Sequence, residues 1–93
     1  MKTDTFQLGQ IVSTPGALQA MEEARQAPSE LLGRHTKGDW GEMSDEDKSA
    51  NDRAVVLGGE RIFSAYAVKT GEKIWIITEA DRSSTTILLP AEY

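Results

Sequence analysis

His35 is the single imidazole of the chain, and it stands in the stretch Arg34-His35-Thr36-Lys37-Gly38-Asp39-Trp40-Gly41. A cation, an imidazole, a carboxylate and a large aromatic fall within seven residues, and two glycines let the backbone turn tightly about them. With an ordinary pKa of about 6.5, His35 has the acidity of a general base that Asp39 would orient. The same residues carry a structural reading, in which His35 and Asp39 cap a short helix and Trp40 plugs the core with its indole N–H hydrogen-bonded. No nucleophile is identifiable beside them.

A second polar constellation is Thr78-Glu79-Ala80-Asp81-Arg82-Ser83-Ser84-Thr85-Thr86, where eight of nine residues are polar. Arg82 beside Asp81 and Glu79 suggests a salt-bridged turn tightened by Ser83 and Ser84. In the functional alternative, Glu79 and Arg82 project from a strand end toward the Arg34 to Trp40 loop. Arg34, His35, Asp39, Glu79, Asp81 and Arg82 then form a mixed-charge pocket around Trp40, lined by Thr85 and Thr86, which suits a peptide or small polar ligand.

The third constellation is acidic. Asp39, Glu42, Asp45, Glu46, Asp47 and Asp52 face the single Lys48, so the whole net charge of −5 resides between residues 39 and 52. These acids read as a solvated helix start whose dipole they complement, or as a docking face for a basic partner. Asp45-x-Asp47-x-Ser49 begins like a calcium loop, but the required glycine position holds Ala50 and the bidentate glutamate position holds Val56. No metal and no cofactor are expected, since no cysteine is present and no phosphate loop, nucleotide fingerprint or nucleophile elbow occurs.

The elements that must position these groups are strongest in the last third. Between Arg61 and Leu89 the apolar residues are mainly β-branched or aromatic, the chemistry of strands. Arg61–Val68, Lys73–Thr78 and Thr85–Leu89 form an antiparallel three-stranded meander, with Gly71 in the first turn and Pro90 as the stop. Four consecutive large residues, Ile74 to Ile77, require cover on both faces of the middle strand, with Trp75 and Ile77 on one face and Ile74 and Ile76 on the other. Ahead of the meander, Thr14-Pro15 opens a helix with Ala17, Leu18, Met21 and Ala24 as its stripe. A short helix or single turn covers Ser29–His35, and Ser44 caps a third helix with Ala50, Ala54 and Leu57 inward and Gly58-Gly59 as its end. Phe6–Val12 is an N-terminal strand. It either curls over the open face of the meander, or a second copy covers that face and the protein is a homodimer.

The fold class is therefore α+β, with two to three helices packed on the sheet, in one domain over 1–93 with residues 1–5 as a flexible lead. Ninety-three residues hold one core, and 39% apolar with 27% charged residues matches globular proteins and excludes global disorder. No signal-like or membrane-spanning apolar stretch occurs, so the expectation is a cytoplasmic chain without a membrane partner. The acidic balance argues against direct nucleic-acid binding, which rests on Lys and Arg at phosphates.

The strings Arg34-His35…Gly38-Asp39-Trp40-Gly41, Ser64-Ala65-Tyr66 and Trp75-Ile76-Ile77-Thr78-Glu79-Ala80-Asp81-Arg82-Ser83-Ser84-Thr85-Thr86-Ile87-Leu88-Leu89-Pro90…Glu92-Tyr93 resemble an uncharacterised family of small bacterial plasmid and mobile-element proteins. The resemblance spans nearly the whole chain from Phe6. It implies a bacterial mobile-element setting and brings no activity, cofactor or catalytic residue. The leading expectation is a non-enzymatic protein-binding or regulatory module whose partner is another protein. One alternative is an acidic DNA mimic directed at a defence protein. The other is a small hydrolase or transferase using His35 and Glu79.

Overall fold

The computed structural model describes residues 5–93, in the order β1 (Gln10–Ser13), α1 (Pro15–Ala24), α2 (Pro28–Thr36), α3 (Asp45–Leu57), β2 (Ile62–Ala67), β3 (Lys73–Thr78) and β4 (Ser84–Leu88), closed by a 3-10 turn at Pro90–Glu92. The expected flexible lead lies outside the described residues apart from Thr5. That residue is tied down, its N–H and hydroxyl both donating to the Thr36 carbonyl at 2.9 and 2.7 Å.

The fold is α+β, and the β-rich runs do form an antiparallel β2–β3–β4 meander with Ile76 opposite both Ser64 and Ile87. The sheet as a whole is mixed, however, in the order β1-β4-β3-β2. β1 neither begins at Phe6 nor curls over a face: it spans four residues and joins the edge parallel to β4, pairing Gln10 with Ser84. The cause is Gly9, which takes φ +65° where the backbone of Arg82 and Ser83 leaves no room for a Cβ. Extended pairing therefore starts after it, and Phe6 and Leu8 turn toward the core instead.

Register assigns the two faces. Ile62, Ser64 and Tyr66 share one face with Ile74, Ile76, Thr78, Thr85 and Ile87, and all are buried. α1 and α2 cover this face with Ala17, Ala20, Met21, Ala24, Leu31 and Leu32. Leu18, expected in the buried stripe of α1, is exposed instead. α3 lies along the outer edge of β2: Asn51 donates to the Phe63 carbonyl at 2.7 Å and accepts from its N–H at 3.1 Å, imitating a neighbouring strand. Leu57 was expected to face inward with Ala50 and Ala54, yet it is 79% exposed. The buried residues of α3 are Asn51 and Ala54, because the helix meets a strand edge and needs only a narrow contact. A smaller core of Trp40, Ala54 and Ile62, with Phe6, Met43 and Val55 against it, fills the corner.

On the opposite face Ile77 and Leu88 are buried, while Phe63 and Trp75 remain half-buried. Among the described residues no helix is long and apolar enough to cross a membrane.

Candidate functional site

His35 sits in the last turn of α2 with its side chain turned onto the sheet and no solvent exposure. Its Nε2 lies 2.9 Å from Thr78 Oγ1, Thr78 Oγ1 lies 2.8 Å from Thr85 Oγ1, and Thr85 donates to the Leu8 carbonyl at 2.8 Å. That carbonyl can only accept, so the direction of every bond is set. Thr85 donates outward and must accept from Thr78, which in turn accepts from His35 Nε2–H. Nδ1 is left to accept from the Ser64 hydroxyl. The ring is a neutral Nε2–H tautomer with both nitrogens used, and burial pushes its pKa down to about 4. Phe6 and Trp40 close over it, with ring centroids 5.2 and 5.8 Å from the imidazole. His35 thus neither caps a helix nor faces a pocket, and a general base needs a free nitrogen within reach of substrate.

The two polar loops do not merge into the expected mixed-charge pocket. Of its members, His35, Trp40 and Arg82 do meet around Phe6, with the Arg82 guanidinium 5.9 Å from the Phe6 ring centre. Arg82, however, makes no carboxylate pair with Asp81 or Glu79. Its guanidinium donates to the carbonyls of Glu60, Glu79, Ala80 and Ala54 at 2.7 to 3.1 Å, joining the β3–β4 turn to the end of α3. Glu79 pairs instead with Arg61 at 3.3 Å, and Asp81 accepts from the Ser83 N–H, the Ser83 hydroxyl and then this N–H holding its carboxyl below the usual range. Arg34 and Asp39 form a two-bond ion pair at the end of α2 that lowers the Asp39 pKa, and the guanidinium stacks 4.6 Å over Tyr66. Trp40 is buried and its indole N–H donates to Asp52 at 3.0 Å.

That bond also divides the acidic segment. Asp52 serves Trp40, Glu42 pairs with Lys73, and Asp39 with Arg34. Asp45, Glu46 and Asp47 remain in the first turn of α3, where the Ser44 hydroxyl accepts from the Asp47 N–H at 3.1 Å.

The feature that sequence reasoning missed is on the half-open sheet face. A cleft of about 490 Å³ runs between α3 and the sheet, lined by Glu42, Met43, Asp47, Ala50, Asn51, Arg61, Phe63, Ala65 and Trp75. Its floor is aromatic: Phe63 and Trp75 meet edge to face at 4.9 Å, and Tyr93 continues the row at 5.7 Å from Trp75. Arg61 closes one end, donating to Glu79 and to the Tyr93 hydroxyl at 3.2 Å, and Lys73 pairs with Glu42 at the rim. The signal was present in the alternation Arg61-Phe63-Ala65 and Lys73-Trp75-Ile77, which places charged and aromatic residues of neighbouring strands on one face. The chain matches no protein-family model, no curated protein and no solved structure.

Proposed function

We propose that the protein is a small non-enzymatic binding module that takes a segment of another protein into the cleft between α3 and the β2–β3 face. The observation that carries this reading is the half-exposed aromatic floor of Phe63 and Trp75 at the bottom of a cleft with a polar rim. Aromatic side chains framed by polar groups are the composition of protein-recognition surfaces. The resemblance to plasmid and mobile-element proteins fits such a role, in which a small chain acts by occupying a larger one. The hydrolase alternative loses its base, because both nitrogens of His35 are engaged inside the core and Glu79 is paired with Arg61. The DNA-mimic alternative loses its array, because three of its acids are committed to Arg34, Lys73 and Trp40.

The test is affinity capture from a bacterial lysate with the wild-type chain, Trp75→Ser and the remote surface variant Leu18→Ser. A partner retained by Leu18→Ser and lost by Trp75→Ser supports the cleft. A partner held equally by all three chains overturns it.

A further inference from the structure

We infer that the segment taken by the cleft carries a lysine or arginine side chain, laid across the Trp75 ring with its cationic head toward Asp47. This rests on the cleft being a protein-binding site and adds the chemistry of what enters it.

The argument is one of charge left over. Two bases belong to the cleft and its rim, and each is already neutralised: Arg61 by Glu79, and Lys73 by Glu42. Asp47 lines the same wall and has no ion-pair partner among the described residues, with Asp45 and Glu46 beside it in the same turn. The α3 wall therefore presents a carboxylate without an ion-pair partner while the floor is aromatic. An indole face attracts a cation through its quadrupole, and a long alkyl stem covers apolar surface while its head stays polar. Lys73, two residues along the strand from Trp75, shows that a carboxylate of this cleft can hold an ammonium, its head paired with Glu42 at the rim. An acidic segment would instead place its carboxylates against Asp47, and a phosphate backbone would do so repeatedly.

The experiment uses the full-length ¹⁵N-labelled chain. The probes are scanned nonapeptides, each made with lysine, acetyl-lysine or glutamate at the central position among aliphatic neighbours. The indole N–H signals of Trp75 and Trp40 are separate reporters, one in the cleft and one buried. The expected result is that lysine peptides shift the Trp75 indole and the Asn51 side-chain amide while leaving Trp40 still. Acetylation should weaken binding about tenfold, the scale of one cation–π contact with one ion pair. Asp47→Asn should weaken the lysine form and leave the acetylated form unchanged. Equal binding of lysine, acetyl-lysine and glutamate peptides at Trp75 would overturn the cation while leaving the cleft as a binding site. Shifts that avoid Trp75 for every peptide would overturn the inference, whereas the capture experiment judges the cleft independently.

Discussion

Between pH 6.5 and 4 the relay from Ser64 through His35, Thr78 and Thr85 to Leu8 governs how stability responds to acid. His35 is neutral when folded, with a pKa of about 4, and ordinary when unfolded, at 6.5. The unfolded chain therefore binds a proton that the folded chain refuses. Stability from this group is complete above pH 6.5 and falls as pH drops toward 4, by about 3 kcal/mol in all. Asp39, Asp81 and Glu92, whose pKa values are lowered, act at still lower pH, below their ordinary 3.8 to 4.5. Urea midpoints measured at half-unit steps from pH 7 to 4.5 check the effect, and a flat profile above pH 5 would contradict it. Thr78→Val is near isosteric but leaves Nε2–H without an acceptor in the core. The expected loss is about 1–3 kcal/mol at pH 7, read by the same unfolding curves. The sequence shows the residue types of this relay but not their meeting, because its bonds join positions up to 77 residues apart.

Local periodicity reaches the elements more reliably. The β-branched runs give β2, β3 and β4, and the Ser44 cap with its acidic first turn gives the start of α3, since each depends on neighbours in the chain. What closes the sheet edge is not legible in that way. Asn51 is a single polar residue on a helix, and its purpose appears only when α3 lies against Phe63. It must both donate and accept there, so Asn51→Asp should destabilise about as much as Asn51→Ala, by about 1–3 kcal/mol, despite its closer shape. Thermal unfolding of both variants decides this, and a fully stable Asn51→Asp would mean that the edge needs no donor. Arg82 went unread for the same reason: its neighbours Asp81 and Glu79 suggest ion pairs, whereas the carbonyls of Ala54 and Glu60, at and just beyond the end of α3, are its acceptors once packed.

For the whole molecule, the meander is the floor on which α1 and α2 rest and the edge against which α3 closes. Ile76 is fully buried at its centre between Ser64 and Ile87. Ile76→Ala should cost about 2–5 kcal/mol, as the removal of buried methyl groups does. A melting temperature within a degree of the parent would exclude that position for it. The start of α1 is also fastened to the 3-10 turn at Pro90–Glu92. Glu92 accepts from the Thr14 hydroxyl and from the Gly16 N–H at 3.2 Å at the start of α1, which lowers its pKa. β1 is the least supported strand, short and half-exposed at the sheet margin, and the Gln10 and Thr14 amides that bond to Ser83 and Ile87 should exchange with solvent before that of Ile76. Exchange at equal rates would show a single cooperative unit. The parallel pairing of Gln10 with Ser84 also bears on biosynthesis. While the ribosome is still making the first two thirds, the apolar stripes of α1 and α2 have emerged but their floor does not yet exist. The nascent chain must carry Met21 and Leu31 uncovered until β4 clears the exit tunnel, so the core cannot close before that strand emerges and a holding chaperone has a defined interval in which to act.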